Sequence, residues 1–196
     1  DCYVMCNNIS VESKADTKYE YMYTYKYPEQ TVPSGGEAAY VKTLKKEIYG
    51  YNLDVTVLGI VEDSKYFAAD VKEGKNKVVI STAVAQKYHL SVGDKLILTE
   101  EEENMDYAFT VEGIAQYSAG LYVFMDIDSM RELFGESDDY YNVVFSDNKL
   151  DIVSGRLYAV TMKADIEKSS GIFVSMMMPM IYMLSTVSIL IFGVVM

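Results

Sequence analysis

His89 is the only histidine of this 196-residue chain, and its two cysteines are Cys2 and Cys6. Side chains of these types most often act as nucleophiles, general bases or zinc ligands. No serine or cysteine in a nucleophile motif lies near His89, and the cysteines do not form a metal-binding pattern with it. We therefore expect His89 at the solvent-exposed end of a helix. We predict no catalytic residue, no bound metal and no enzymatic activity.

Two acidic segments have the composition of a cation site. Asp126 and Asp128 are two positions apart, but helix capping explains both, and no EF-hand spacing follows them. The run 100–103 consists of four glutamates that could attract calcium or a basic peptide. A solvated hairpin tip explains this run more simply. The glycines at 35, 36 and 93 lie in turn or capping contexts, and no Walker sequence occurs, so no cofactor is predicted.

The charge of the chain limits its partners. The formal net charge is −12, with 29 acidic and 17 basic side chains. Such a surface repels nucleic-acid phosphates, so we predict no nucleic-acid partner. One possible Cys2–Cys6 pair cannot build a disulfide framework, and it leaves open whether the two are oxidised. The chain starts without an initiator methionine or a signal peptide, and we expect it to be a piece of a longer protein.

Residues 171–196 contain no charged side chain. This run is longer than the roughly 20 apolar residues that a helix needs to cross a bilayer. A buried core helix is the alternative, but a domain of this size has little room for one. We predict an extracytoplasmic α/β domain over residues 1–170 and a transmembrane helix over 171–196. The flank 163–170 is not strongly basic, which favours the non-cytoplasmic side of a cell membrane.

Five tyrosines alternate with other residues between positions 19 and 27. A strand has a side-chain period of two, so the pattern places all five rings on one face. An aromatic platform for a peptide or a sugar is one interpretation, and a sheet face covered by a helix is the other, which we favour. The candidate ligand contacts are Tyr19, Tyr21, Tyr23, Tyr25 and Tyr27.

Apolar periodicity and turn residues predict a mixed β-sheet with packed helices, an α+β fold followed by the membrane helix. Ser34 and Glu37 form a capping box for an amphipathic helix that has Val41, Leu44 and Ile48 at helical spacing and ends at Gly50. A second helix is capped by Ser81 or Thr82, and a third by Asp126 or Asp128. Residues 161–168 are expected to be helical and continuous with the membrane helix, unless Gly171 acts as a hinge. Strands are predicted at 19–27 (ended by Pro28), 53–61 (extended at 66–67), 77–81, 95–99, 107–117, 121–125 and 140–145.

Three segments carry a resemblance to a known family. They are 78–96 (VVISTAVAQKYHLSVGDKL), 109–115 (FTVEGIA) and 121–135 (LYVFMDIDSMRELFG). Together they resemble the extracytoplasmic domain of FtsX/MacB-type ABC transporter permeases, which in that family leads directly into a transmembrane helix. Gly93 and Asp94 form a tight turn in this pattern, and Gly113 lets its strand bend or approach another backbone.

The resemblance implies a non-enzymatic domain that works with a cytoplasmic ABC ATPase. In this hypothesis ATP hydrolysis moves the membrane helix, and the domain exports, senses or hands over a peptide, a lipid or a lipoprotein. A membrane-tethered binding module, which captures peptide or glycan on the tyrosine face without an ATPase, is the alternative. An anchored hydrolase is a third hypothesis, supported only by the abundance of acidic residues.

Overall fold

The computed structural model describes residues 18–29, 31–118 and 120–195, so Cys2 and Cys6 lie outside the described residues. The described residues form nine strands, three α-helices and a 3-10 turn at Ser154–Arg156. The strands are β1 (Tyr21–Glu29), β2 (Glu37–Ile48), β3 (Tyr51–Ile60), β4 (Lys77–Ser81), β5 (Lys95–Glu100), β6 (Met105–Ala115), β7 (Tyr122–Asp126), β8 (Tyr141–Ser146) and β9 (Leu157–Met162). The helices are α1 (Thr82–Tyr88), α2 (Ile127–Leu133) and α3 (Lys163–Val195).

Six of the strands close into a barrel. The order around it is β2, β3, β7, β4, β6 and β5, and β5 pairs back to β2. The pairs β3–β7 and β4–β6 are parallel, whereas the other four are antiparallel. Closure pairs the backbone N–H and C=O groups that the edge strands of an open sheet would leave unpaired. The predicted mixed sheet with packed helices is confirmed.

The barrel interior is filled by one apolar cluster to which all six strands contribute. Leu44, Val55 and Leu98 are among its fully buried members. Val84 of α1 and Met130 of α2 belong to the same cluster, so both short helices pack onto the barrel. Complete burial of such a side chain stabilises the fold by about 1.5–3 kcal/mol.

The helix predicted for residues 34–50 is wrong, because this segment forms β2. Gly36 N–H donates to the carbonyl oxygen of Pro33 at 3.0 Å, and Gly35 has a φ of 83°. These values describe a tight turn with glycine at its third position rather than a capping box. The carboxylate of Glu37 accepts hydrogen bonds from Ser64 and from the Lys65 N–H, so it binds a different loop.

The end of β2 explains why strand pairing wins over the helical spacing. Tyr49 and Gly50 have φ angles of 49° and 81°. Two successive positive φ angles are typical of a type I′ hairpin turn, whose twist matches that of the flanking strands. Gly50 therefore closes a hairpin instead of ending a helix. Nine residue pairs, from Tyr40 with Gly59 to Ile48 with Tyr51, then join β2 to β3 without a break.

Three strands extend the barrel on one side, in the order β8, β1 and β9. The first residues of β2 leave the barrel and pair with β8, from Glu37 with Phe145 to Ala39 with Val143. β1 lies between β8 and β9 and is antiparallel to both. The long strand β2 thus belongs to both parts of the sheet. In the described part of the chain β9 is the edge strand, and α3 follows it directly.

The other predicted elements fall close to their observed positions, with three exceptions. Pro28 interrupts the pairing of β1 but does not end the strand, which continues to Glu29. Tyr66 and Phe67 do not extend β3; they lie in the loop after it, where both are buried. Residues 161 and 162 belong to β9, a strand that was not predicted. Ser81 caps α1 and Asp126 caps α2, as one of the two alternatives predicted in each case.

Candidate functional site at the junction of β1, β9 and α3

The tyrosine stripe does not place all five rings on one face. Tyr23 and Tyr25 are buried in a cluster with Tyr141 and Val144. Tyr19 precedes β1 and packs instead against Phe145, with ring centroids 4.8 Å apart. Phe145 and Val144 are adjacent in β8, so their side chains lie on opposite faces of the sheet. The prediction of a single face is therefore wrong for Tyr19.

The rings of Tyr23 and Tyr25 are covered by the loop before β9 and the first residue of β9 rather than by the predicted helix. The covering residues, which pack on the same cluster, are Leu150, Ile152 and Leu157. Tyr21 is half-buried and stacks on Tyr23 at 6.1 Å, whereas Tyr27 is 72% exposed. A role of the five tyrosines in ligand contact stays a prediction. Only Tyr21 and Tyr27 have the exposed ring area that direct contact requires.

Burial changes the acid–base properties of these tyrosines. It raises the pKa of Tyr19 to about 12, with a smaller contribution from Tyr122. Burial also raises the pKa of Tyr25. The Tyr141 hydroxyl donates to the Thr31 carbonyl oxygen at 2.5 Å, and burial raises its pKa as well. The phenols of Tyr19, Tyr25 and Tyr141 therefore stay neutral at physiological pH.

The chain enters β1 and leaves β9 at the same end of the sheet. Tyr21 pairs with Met162, and the Lys163 N–H donates to the carbonyl oxygen of Glu20 at 2.9 Å. The Glu20 N–H in turn donates to Ser146 of β8 at 3.2 Å. The first residue of α3 is thus hydrogen-bonded to the strand layer. We refer to this arrangement of residues 19–21 and 162–163 as the junction.

The helix α3 continues without interruption from Lys163 through position 171, so the structure shows no hinge there. Its segment Ser175–Val195 is long and apolar enough to span a membrane, and none of it is buried against the rest of the chain. Ser185, Thr186 and Ser188 donate to the carbonyl oxygens four residues earlier at 2.8–2.9 Å. These bonds satisfy hydroxyls that would be costly in hydrocarbon.

Residues 164–174 of α3 separate the junction from this candidate span. At a rise of 1.5 Å per residue, the stalk from position 163 to position 175 is about 18 Å long. A continuous helix resists bending because its backbone hydrogen bonds are satisfied along its length. The junction therefore connects the sheet to the candidate span through one rigid element.

The turn residues singled out in the sequence lie in turns or irregular positions. Gly93 has a φ of 94°, and its N–H donates to the Val111 carbonyl oxygen at 2.7 Å. The Asp94 carboxylate accepts from the Ser91 N–H at 2.8 Å and closes the same turn. Gly113 follows a shift in the register between β4 and β6. That shift is a bulge, which bends the strand.

The structure places His89, Asp126 and Asp128 at the ends of the two short helices α1 and α2. His89 is exposed at the end of α1 with a φ of 53°, as expected of a helix end. Asp126 Oδ2 accepts from the N–H and the hydroxyl of Ser129, both at 2.9 Å. Asp128 pairs with Arg131 at 2.8 Å. No group of three or more His, Cys, Asp or Glu side chains in the described part of the chain has the arrangement of a metal site.

The acidic run lies at the tip of the hairpin between β5 and β6. Glu100 is the last residue of β5, and the three glutamates after it are exposed in the turn. Glu101 accepts a hydrogen bond of 3.1 Å from the Asn52 amide. Glu100 instead pairs with Lys42 at 2.7 Å, and both side chains are largely buried. The tip predicted from the sequence is thus confirmed for residues 101–104.

Sequence comparison decides the family. The sequence model described as MacB-like periplasmic core domain matches residues 13–165. The chain belongs to this family. The predicted resemblance to the extracytoplasmic domain of FtsX/MacB-type permeases is therefore confirmed. In this MacB-like domain the match includes the first three residues of α3, so the junction lies within it and the candidate span lies outside.

Solved structures with some similarity to this MacB-like domain come from two transporters. One is the extracellular domain of the noncanonic ABC-type transporter YknZ from Gram-positive bacteria, with 18% identity and a TM-score of 0.41. The alignment covers 69% of this chain and 84% of the YknZ domain. The other is the periplasmic region of MacB from Actinobacillus actinomycetemcomitans, with 9% identity and a TM-score of 0.45. That alignment covers 82% of this chain and 96% of the MacB region. No curated protein matches the chain in sequence.

The strand β9 is the part of the junction that sequence reasoning missed. Its residues alternate between half-buried and exposed along Leu157–Met162. This alternation, with the β-branched Val160 and Thr161, is a strand signal that could have been read from the sequence. The helical interpretation of residues 161–168 extended the helix two residues too far and hid this signal.

Proposed function

We propose that this MacB-like domain transmits movement between a membrane-spanning helix and an extracytoplasmic binding surface of an ABC permease. In this proposal a cytoplasmic ABC ATPase subunit hydrolyses ATP and displaces α3. The junction passes the displacement to β1 and β9. The domain itself catalyses no reaction, and it exports, senses or hands over a peptide, a lipid or a lipoprotein.

The observation that carries this proposal is the hydrogen bond from the Lys163 N–H to the Glu20 carbonyl oxygen. Together with the pairing of Tyr21 and Met162, it fixes the start of α3 to the strand layer. The stalk contains no break that would decouple the two parts. A tilt of α3 would therefore displace β1 and β9 together, since packed elements move as rigid bodies.

The shared position of the two ends of the sheet also supports the proposal. β1 starts beside the last residue of β9, so the chain enters and leaves the domain on the side where α3 leaves. A domain of this kind can be inserted between two membrane helices without a long linker. The alternative, a tethered module that binds peptide or glycan on the tyrosine face, has weaker support because Tyr19, Tyr23 and Tyr25 are buried.

The test measures whether ATP moves β9 relative to the barrel. The complete permease is purified with its co-purifying subunits, and spin labels replace the exposed side chains of Val92, in the turn before β5, and Tyr158 of β9. Cys2 and Cys6 are first changed to serine. We expect the distance between the labels, measured by double electron–electron resonance, to change when ATP and vanadate are added.

A matched pair of insertions tests the role of the junction. Four glycines inserted between Met162 and Lys163 should abolish the ATP-dependent change, because they separate α3 from β9. The same four glycines inserted into the exposed turn after Glu102 should leave it intact. An ATP-dependent change that survives the junction insertion would contradict transmission through β9. Purification without any ATPase, and without an ATP response, would contradict the permease function.

A further inference from the structure

An apolar cleft of about 270 Å³ opens between the loop after β3 and the end of β6. Phe67, Ala115 and Phe124 are buried at its base. Ile114 and Gln116 are exposed at its mouth. An apolar cavity of about 150 Å³ can hold a benzene molecule, and complete drug-sized ligands occupy about 300–1,000 Å³. The cleft thus has room for an apolar part of a ligand rather than for a whole one.

The base of the cleft is formed by aromatic rings. The ring centroids of Phe67 and Phe124 are 5.6 Å apart, and those of Tyr117 and Phe124 are 6.0 Å apart. Such rings pack against one another in tilted and edge-on arrangements, which leaves hydrocarbon surface at the opening. Ligand groups that enter the cleft must therefore be apolar, because a polar group would lose its bonds to water there.

The charge at the cleft differs from that of the chain. Among the described residues that line it, Lys18 is the charged side chain and none carries a carboxylate. The chain as a whole carries 29 acidic and 17 basic side chains. The cation that the described lining contributes therefore favours a ligand whose polar end is negative.

The cleft is directly connected to the junction. Tyr19 follows Lys18, and its ring lies 6.4 Å from that of Phe67 at the base of the cleft. The next residue, Glu20, accepts the hydrogen bond from Lys163 at the start of α3. The cleft is thus tied to the element that leads to the candidate span, which favours a ligand arriving from the bilayer.

We propose that this cleft binds the acyl chain of an anionic amphiphile drawn from the membrane, with Lys18 at the negative headgroup. The proposal rests on the proposed function, and it names a lipid as the substrate class of the domain. The hydrocarbon chain would pack on Phe67 and Phe124 while the headgroup stays in solvent beside Lys18. A displacement of α3 would reach the cleft through Glu20 and Tyr19.

The test uses the full 196-residue chain in phosphatidylcholine nanodiscs, without an ATPase. The probe is a diazirine-bearing fatty acid, and the matching fatty alcohol is the uncharged comparison. After illumination, mass spectrometry locates the labelled peptides. Labelling of α3 in the bilayer serves as the internal reference. We expect the fatty acid to label the peptide 66–72 at the cleft, and the alcohol to label it less.

Blocking variants test the location of the site. Ala68→Trp and Ile114→Trp place an indole at the mouth of the cleft, where both native side chains are exposed. Either variant should lower labelling of the cleft about tenfold relative to labelling of α3. A tenfold loss of affinity corresponds to about two methylene groups of the probe that are no longer buried. Ala108→Trp lies on an exposed part of β6 outside the cleft and should have no effect. Thermal melts establish that each variant is folded.

A charge variant tests the headgroup. Lys18→Gln should lower labelling by the fatty acid up to about fivefold, which is the size of one exposed ion pair, and leave labelling by the alcohol unchanged. Lys26→Gln, an exposed lysine of β1 outside the cleft, is the control. Labelling confined to α3, or undiminished in both folded tryptophan variants, would overturn the proposal. So would equal labelling by acid and alcohol, or protection of the cleft only by a soluble aromatic peptide.

These outcomes are separate from those of the proposed function. The labelling experiment contains no ATPase, and the spin-label experiment contains no added lipid. A cleft that fails to bind the fatty acid would leave an ATP-dependent movement of the domain intact. A domain that does not respond to ATP could still bind the probe.

Discussion

The Tyr23 hydroxyl accepts a hydrogen bond of 2.8 Å from the backbone N–H of Leu150, 127 positions later in the chain. This bond holds the loop before β9 over the buried part of the tyrosine stripe. Leu150, Ile152 and Leu157 then pack on Tyr23 and Tyr25. The stripe is therefore part of the packing that positions β9, and with it the start of α3.

Replacing Tyr23 should destabilise the domain. Tyr23→Ala removes a buried ring and should lower the free energy of unfolding by about 3–5 kcal/mol. Tyr23→Phe keeps the ring but leaves the Leu150 N–H without its partner, at a cost of about 1–3 kcal/mol. Urea unfolding monitored by circular dichroism measures both. Tyr27→Ala is the control, because loss of the exposed Tyr27 side chain should change the free energy of unfolding by less than about 0.5 kcal/mol. A Tyr23→Ala variant as stable as Tyr27→Ala would refute the role of the stripe in packing.

Gly59 lies where β3 contacts α2. A Cβ atom added there would lie 2.8 Å from the Met130 sulfur and 3.3 Å from the Ile127 Cα. Because Met130 is fully buried, Gly59→Ala should cost about 1–3 kcal/mol of stability. Gly155→Ala is the matched control, since nothing lies within 4 Å of its Cβ position. The two midpoints of thermal unfolding should differ clearly, and equal midpoints would mean that α2 is not packed on β3 as described.

High pH should destabilise the domain through its buried tyrosines. An unfolded tyrosine ionises near pH 10, whereas the pKa of Tyr19 in the folded state is about 12. The folded state holds this proton more tightly, so the contribution to stability is complete below about pH 10 and is lost as the pH rises from 10 through 12. Urea midpoints between about pH 8 and 12 should fall along this range.

Tyr19→Phe provides the comparison for this alkaline effect. Phenylalanine does not ionise, so the variant should lose less stability than the parent over the same pH range. Tyr27→Phe, at the exposed position, should follow the parent. A Tyr19→Phe curve as steep as that of the parent would mean that ionisation of Tyr19 does not contribute.

His89 should matter through its backbone and not through its imidazole. Its φ of 53° lies in the left-handed region, which favours glycine. His89→Gly should therefore raise the stability by about 0.5–1 kcal/mol, whereas His89→Ala should change little. Chemical denaturation at neutral pH measures both variants. A loss of transport in a folded His89→Ala permease would contradict the absence of a chemical role.

The candidate span should be dispensable for folding. None of Ser175–Val195 is buried against the domain, so deletion of residues 175–196 should leave a soluble protein with an unchanged melting temperature. Deletion from residue 157 onward removes β9 as well and should destabilise the domain strongly, because β1 loses one of its two partners. If both deletions unfold the domain, the apolar helix belongs to its core and the membrane interpretation fails.

Local sequence signals located the elements whose cause is local. Ser81 and Asp126 cap their helices with their own side chains, and each was one of the two candidates that residue type and position predicted. The apolar run of α3 was evident because a bilayer requires only length and absence of charge. Gly93 lies in a turn that its conformational freedom allows. The family resemblance was also carried by local segments.

Tertiary structure decided the features that depend on distant partners. Val41, Leu44 and Ile48 have helical spacing, but pairing with β3 and closure of the barrel made this segment a strand. The five tyrosines have the period of a strand, yet packing of Phe145 and of the loop at Leu150 separated Tyr19 from Tyr23. Hydrogen bonds between strands are made with residues far away in the chain. A spacing pattern within one segment therefore cannot determine which partner, or which face, that segment will have.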